Sequence, residues 1–329
     1  MNMIRNYYQD LTQTVSKSWE AFWFVRVETK TVSLLRLLVG SIALIYALLF
    51  TIQLTDWYAA DGILSSSFTI SMLSTEDNNY AYYWSLLYYV NTPVELWILH
   101  SIGLLVIGAF AVGFQTRYTS IAAFIFVASY AQRAPMLAGL IEPLLCPMVL
   151  YLCFAPCGNY FSVDAWLRAK KQKLADRKVE DSLGANITLR LIQVHLCMFY
   201  AMMALTKLGG YTWWGGESMW WLIAQNHSPL VDLRFLRDAP LFVFSWTHLV
   251  VLFELCFPLL IWVKVFRPLL IVLSILHWIS LSLVTGNWEF GLLILALNVA
   301  FFSPEFVQSF LAKPEKSETI KGKDATQAA

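Results

Sequence analysis

Charge is scarce in this chain. Only 14% of its 329 residues are charged, whereas a soluble globular domain carries roughly 25%. The formal net charge is +1, so the chain has no overall basic field for nucleic acid and no overall acidic field for cations. Hydrophobic residues make up 58% of the sequence. This apolar excess argues against two water-soluble domains, which the length would otherwise allow.

Several functional signatures are missing as well. Cys153 and Cys157 are four residues apart, but no second Cys or His pair lies nearby in the sequence to complete a zinc site. We therefore interpret the five cysteines as packed or lipid-facing residues. The motifs HExxH and GxSxG and a phosphate-cradling glycine loop do not occur, which leaves hydrolase and nucleotide-binding functions unsupported. The first 30 residues lack the short apolar core of a cleavable signal peptide. The first membrane helix is therefore expected to act as the insertion signal.

Long apolar runs dominate what is present. A helix needs about 20 apolar residues to cross the roughly 30 Å hydrocarbon core of a membrane. Eight candidate spans lie at residues 33–54, 94–113, 118–132, 139–156, 187–208, 245–264, 266–285 and 288–303. Residues 10–30 mix aromatic and basic side chains and are predicted to form a helix at the membrane surface. The predicted fold class is an all-α, polytopic transmembrane helix bundle with about eight spans.

Lysine and arginine indicate which loops face the cytoplasm, because loops rich in them are retained on that side. They are frequent before the first span, in the third loop (157–186), beside the turn between the sixth and seventh spans, and after residue 312. The 55–93 loop has none. Eight spans with both termini cytoplasmic satisfy this pattern. The expected organisation is an interfacial segment (1–32), a transmembrane domain (33–306) and a disordered tail (307–329).

Ionisable residues inside the apolar segments carry functional information, because a charge at the centre of a membrane costs about 2.5–3.5 kcal/mol on insertion scales. On the predicted topology, Lys207, His277 and Glu254 form an outward-facing polar pocket. Structural interpretations stay open. Lys207 can extend to the outer interface or pair with Glu254, and His277 can bond to a neighbouring helix. Glu142 is expected to pair with Arg133 over a turn.

Residues 189–220 contain an apolar helix that ends in Lys207 and is followed by tryptophan and by Gly216-Glu217-Ser218-Met219. This segment resembles vitamin K-dependent gamma-glutamyl carboxylase and its bacterial relatives, the HTTM (horizontally transferred transmembrane) proteins. His277 falls where that family has a histidine. Further matching elements, in the family's order, are Gly113 to Arg117 with Tyr118, Ser162-Val163-Asp164, Ser228-Pro229 and Ser303-Pro304-Glu305. The resemblance covers roughly residues 14–306 and implies a multi-pass protein of the bacterial inner membrane.

The resemblance implies that Lys207 is a base that deprotonates a reduced, vitamin K-like quinone, with His277 as its partner. Desolvation near the membrane interior disfavours the charged form of lysine, which suits such a role. The residues expected to bind this lipid-soluble ligand are Trp213, Trp214, Glu254, Tyr200 and Glu142.

Departures from the family pattern argue against a complete peptide carboxylase. The stretch Leu140-Ile141-Glu142-Pro143 lacks a family histidine, the carboxylase's double lysine is Thr206-Lys207 here, and the sequence ends just after the membrane domain. A quinone-dependent oxidoreductase or carboxylase-like activity is one function left open. The alternative is a non-catalytic accessory or peptide-maturation subunit, with a protein partner on the outer loops 55–93 and 209–244. A transporter is disfavoured, since the chain shows neither inverted repeats nor broken helices beyond Pro258.

Overall fold

Helices form nearly all the regular structure in the residues that the computed structural model describes, which are 2–74, 83–90, 92–172, 180–225 and 230–302. The α-helices are α1 (Asn2–Trp23), α2 (Lys30–Thr51), α3 (Leu54–Tyr58), α4 (Ser66–Leu73), α5 (Pro93–Val112), α6 (Thr116–Arg133), α7 (Glu142–Leu152), α8 (Val163–Gln172), α9 (Leu183–Leu208), α10 (Tyr211–Trp214), α11 (Ser218–Ala224), α12 (Pro240–Leu260), α13 (Arg267–Thr285) and α14 (Trp288–Leu297). Short 3₁₀ helices lie at Leu86–Tyr89, Pro135–Leu137, Arg234–Asp238 and Asn298–Phe301. No β-strand occurs within these ranges.

Five helices are long and apolar enough to cross a membrane, namely α2, α5, α9, α12 and α13. Such a set is typical of a multi-pass membrane protein. The other three predicted spans are helical too, but they do not meet that criterion. Helix α7 has 11 residues and α14 has 10, so both are shorter than the spans expected at 139–156 and 288–303. Both helices bury their apolar side chains against neighbouring helices, as at Leu145 and Leu293.

The N-terminal helix differs from the prediction of 10–30. It begins at Asn2 and ends at Trp23, and residues 24–29 leave the helix. The side-chain amide of Asn186 donates hydrogen bonds of 2.9 Å to the carbonyls of Phe22 and Trp23, which satisfies two acceptors at the helix end. Val27 then pairs with Ser182 in an isolated antiparallel bridge. These contacts tie the N-terminal segment to the start of α9.

The sequence elements Ser228-Pro229 and Ser303-Pro304-Glu305 and the predicted tail at 307–329 lie outside the described residues. The division of the chain into residues 1–32, 33–306 and 307–329 therefore stays a prediction.

The turn between α5 and α6 depends on Gly113 and Arg36. Gly113 ends α5 in the left-handed conformation, with φ of 75°, which glycine adopts without strain. Arg36 of α2 is fully buried against this turn and donates hydrogen bonds to the carbonyls of Phe110 and Phe161. A Cβ added to Gly113 would lie 1.6 Å from Nη1 of Arg36. Glycine is therefore required at this position by both conformation and space.

Asp164, in the first turn of α8, holds the N-terminus of α6. Its carboxylate accepts hydrogen bonds of 2.8 Å from the backbone N–H groups of Gln115 and Thr116, and one of 2.7 Å from the Thr116 hydroxyl. Burial would raise the pKa of Asp164, but these hydrogen bonds outweigh it and lower the pKa below its ordinary value. Two of the sequence elements that carry the family resemblance, at 113–118 and 162–164, thus contact each other and have a structural role.

Helix α2 lies at the centre of the bundle and packs against α5, α7 and α14. Its approach to α5 is close at Gly40, where an added Cβ would lie 2.8 Å from the Cα of Ala111. Small residues permit such close crossings between apolar helices. On the other side of the bundle, α9 packs along α12, and α12 packs against α13. Lys207, Glu254 and His277 lie on these three helices.

Candidate functional site

A buried ion pair joins α9 to α12. The Nζ atom of Lys207 lies 2.7 Å from Oε1 and 2.6 Å from Oε2 of Glu254. Glu254 is completely buried and Lys207 is only 8% exposed. In surroundings this apolar, either charge alone would pay a desolvation penalty of several kcal/mol, so each requires the other. Of the structural alternatives for Lys207, the pair with Glu254 is the one that the structure contains.

His277 of α13 approaches the same carboxylate. Its Nε2 atom lies 3.4 Å from Oε1 of Glu254, a contact that lacks hydrogen-bond geometry. Among the described residues, this buried nitrogen has no hydrogen-bond partner. The imidazole ring instead packs on Phe253, with the ring centroids 4.7 Å apart. Side chains from α9, α12 and α13 therefore meet around the carboxylate of Glu254.

The chain turns sharply after Lys207 and brings Trp213 over the ammonium group. The centroid of the Trp213 ring lies 5.2 Å from Nζ of Lys207, within the range of a cation–π contact. The turn is held by a 3.0 Å hydrogen bond from the N–H of Gly210 to the Lys207 carbonyl. A second, of 2.6 Å, runs from the indole N–H of Trp214 to the carbonyl of Leu208. A Cβ added to Gly210 would lie 2.9 Å from Cδ1 of Trp213, so glycine at this position allows the ring to approach the turn closely.

Lys207 opens onto a groove of about 550 Å³ between α9, α10 and α12, here called the Lys207 groove. Its walls include the rings of Trp213, Trp214, Phe244 and His248, and leucine and valine side chains of α12. The groove is therefore apolar and aromatic, with the lysine amine at one end. Such a site suits a flat, lipid-soluble molecule that carries one or more oxygen atoms.

A second groove of about 740 Å³ runs between α12 and α13 and is called the His277 groove. It is lined almost entirely by apolar side chains, with His277 and Ser280 among the few polar ones. Both grooves include Ser245, Leu249 and Leu252, so they adjoin across α12. Glu254 lines neither groove, but it contacts the lysine of one and the histidine of the other.

Tyr200 belongs to a different part of the site. It is fully buried, and its hydroxyl accepts a 2.6 Å hydrogen bond from the indole N–H of Trp278 and lies 3.0 Å from the Ser274 hydroxyl. Ser274 in turn accepts a hydrogen bond from Asn298. Tyr200 lines neither groove, although the sequence analysis places it in the ligand pocket. Ser274 and Asn298 were missed there, because a polar residue in an apolar span does not reveal which neighbouring helix it meets.

Glu142 lies away from the Lys207 groove, in a separate cleft at the beginning of α7. It accepts a 3.2 Å hydrogen bond from the Tyr46 hydroxyl and one of 2.8 Å from the N–H of Gly139. The residues that line this cleft line neither groove. Glu142 was predicted to share one ligand pocket with Lys207, but the two residues line separate cavities.

The expected pair between Glu142 and Arg133 is wrong. The Arg133 guanidinium is fully buried and donates to the Leu64 carbonyl at 2.7 Å and to the Thr69 hydroxyl at 3.0 Å. The ring of Tyr58 lies 5.1 Å from the guanidinium carbon. The segment that follows α2 therefore folds over the end of α6 and contacts this guanidinium, which a sequence pattern does not reveal.

No group of three or more His, Cys, Asp or Glu side chains that could hold a metal ion occurs in the part of the chain that the structure describes. Comparisons of the chain with protein-family models, with curated proteins and with solved structures find no significant match. The function is therefore inferred from the sequence and from the geometry of the site.

Proposed function

We propose that this chain is a multi-pass protein of the bacterial inner membrane that binds a quinone, or a similar lipid-soluble ligand, in the Lys207 groove. In this proposal the eight apolar segments all cross the membrane and both termini are cytoplasmic. The distribution of lysine and arginine between the loops supports this orientation. On this topology, Lys207 and the aromatic rings around it lie near the outer surface.

The observation that carries the proposal is the buried Lys207–Glu254 pair at the end of an aromatic groove. A buried ion pair is a weak source of stability, because desolvation of the two charges offsets their attraction. Its place beside an accessible groove therefore favours a functional role. The groove fits a planar ring, and the amine fits a carbonyl or hydroxyl oxygen on that ring.

The pair can hold its proton in two ways that have the same net charge. Either Lys207 is an ammonium and Glu254 a carboxylate, or Lys207 is a neutral amine and Glu254 a carboxylic acid. The proposed step uses the second form, which places no net charge on either side chain. In that form Nζ of Lys207 accepts a proton from a hydroxyl group in the groove. The resulting ammonium then lies beside the ligand oxygen and stabilises its negative charge.

A reduced quinone would supply the acidic hydroxyl for this step. Glu254 positions the amine through its two oxygens, and the Trp213 ring covers the ammonium and limits its contact with water. His277 would accept the proton from Glu254, because its buried Nε2 faces that carboxylate without another partner. Proton transfer by the pair, with His277 as its partner, is thus the chemistry we propose for this site.

Mass spectrometry of quinones and lipids extracted from the purified protein tests this proposal. We expect a menaquinone or ubiquinone to be enriched over the bulk membrane in the wild type and lost in Lys207→Ala, because the variant lacks the amine that contacts the ligand oxygen. Lys264→Ala is the matched control, since Lys264 is exposed in the turn between α12 and α13.

Two results of this extraction would contradict the proposal. A quinone retained equally by all three proteins would separate binding from Lys207. No enrichment in any of them, together with one stoichiometric protein partner, would favour the accessory-subunit function.

A further inference from the structure

A cleft of about 590 Å³ lies where the end of α2, the start of α7 and the start of α14 meet. Its lining includes Trp57, Tyr58, Glu142 and Glu289, and we call it the acidic cleft. No lysine, arginine or histidine is among the residues that line it. Its volume lies within the range of small-molecule sites, which is about 300–1,000 Å³. It is independent of the Lys207 groove and of the function proposed for that groove.

The two carboxylates of the cleft form no ion pair with a basic side chain in the part of the chain that the structure describes. Both oxygens of Glu142 accept hydrogen bonds, but the donors are the neutral Tyr46 hydroxyl and the N–H of Gly139. Neither Glu142 nor Glu289 forms an ion pair with any described residue. Arg133, the basic residue expected beside Glu142, instead donates hydrogen bonds to the carbonyl of Leu64 and to the hydroxyl of Thr69. Two carboxyl groups therefore line one cavity without a basic partner among the described residues.

Aromatic side chains make up much of the lining of this cleft. Phe50 packs against Tyr46 and Tyr58, with ring centroids 5.1 and 5.8 Å away. The indole of Trp57 is held by a 2.8 Å hydrogen bond from its N–H to the side chain of Gln53. Faces of aromatic rings attract cations and are the usual lining of sites for ammonium groups. Carboxylates add charge attraction and, for N–H donors, hydrogen bonds.

We propose that the acidic cleft binds an organic ammonium ion. Glu142 and Glu289 would repel an anion, and they attract a cation in a way that a neutral ligand cannot match. A metal ion fits poorly, because aromatic walls offer it no ligand oxygens. The ammonium group can belong to a small soluble molecule or to the choline headgroup of a lipid.

Calorimetric titration tests the proposal with tetramethylammonium chloride as the probe. The full chain is embedded in nanodiscs of phosphatidylglycerol, a lipid without an ammonium group, at constant ionic strength. We expect saturable binding to the wild type and none of tert-butanol, a neutral molecule of similar size. Glu289→Gln and Glu142→Gln should each weaken binding about tenfold, and the double variant should bind negligibly.

Asp61→Asn is the matched control. Asp61 is an exposed carboxylate in the 55–93 loop, and it lines none of the three cavities described above. Its affinity should equal that of the wild type. If Glu142→Gln unfolds through loss of its contact with Tyr46, Glu289→Gln carries the test, since Glu289 has no hydrogen bond to break among the described residues. Absence of saturable binding to the wild type, or equal binding by the double variant, overturns the proposal.

Phosphatidylcholine nanodiscs distinguish the two sources of the ammonium group. If the lipid headgroup occupies the cleft, the affinity of the wild type for tetramethylammonium should fall about tenfold in these discs, through competition. Equal affinity in both kinds of disc assigns the cleft to a soluble ammonium compound. Either result is consistent with the cation site, because both require binding that depends on Glu142 and Glu289.

Discussion

Glu254→Leu is expected to destabilise the protein by about 3–5 kcal/mol, because it leaves the charge of Lys207 buried without a partner. Glu254 is completely buried and accepts both hydrogen bonds of the Lys207 ammonium. Leucine fills a similar volume, so the loss would come from the missing charge and not from a cavity. Reversible unfolding in mixed micelles, followed by tryptophan fluorescence, measures this change.

The double variant Lys207→Met/Glu254→Leu separates the contribution of the ion pair to stability from that of side-chain packing. Replacement of both partners removes the buried charges together, so most of the lost stability should return. If the double variant lost as much stability as Glu254→Leu and Lys207→Met lose in total, the two residues would have no coupling energy. That result would contradict a direct interaction between Lys207 and Glu254.

Gly113→Ala is expected to cost about 3 kcal/mol or more of stability, from two additive causes. Alanine pays roughly 1–2 kcal/mol to adopt the left-handed backbone that Gly113 has. Its Cβ would also overlap Nη1 of Arg36, a fully buried side chain that bonds the ends of two segments. The same unfolding measurement applies.

Gly108→Ala is the control, since Gly108 lies within α5 and a Cβ there would meet no atom within 4 Å. Alanine is the better helix former, so this variant should be neutral or more stable by up to about 1 kcal/mol. Equal stability of the Gly113 and Gly108 variants would show that the turn between α5 and α6 tolerates a side chain. The role given to Arg36 would then be wrong.

The helical membrane architecture could be read from the sequence, because apolar runs long enough to cross a bilayer have few other structural explanations. Each of the eight predicted spans contains a helix. The ends were less predictable. Helix α1 stops at Trp23 because Asn186, which is distant in sequence, binds its last carbonyls. Helix α7 ends at Leu152, where the chain turns although the apolar run continues, and hydropathy does not mark such a turn.

The candidate site was predictable in composition but only partly in geometry. Lys207, Glu254 and His277 lie close together because ionisable groups in apolar helices lower their desolvation cost by pairing. The same reasoning failed for Glu142 and Arg133, where loop carbonyls and a tyrosine hydroxyl supply the partners instead. Backbone groups can satisfy a charge at any position in the sequence, so pairing by residue type is unreliable near loops.

We propose that the Lys207 groove binds a quinol through the Lys207–Glu254 pair. The most direct measurement is anaerobic calorimetric titration of decylubiquinol into nanodiscs that contain the wild type, Lys207→Met/Glu254→Leu or Lys264→Met. The double variant removes the pair without leaving an unpaired charge, so its fold should remain. We predict that the wild type and Lys264→Met bind with the same Kd, and that the double variant binds at least about tenfold more weakly. Equal affinity in all three proteins, or no saturable binding to the wild type, would contradict the claim.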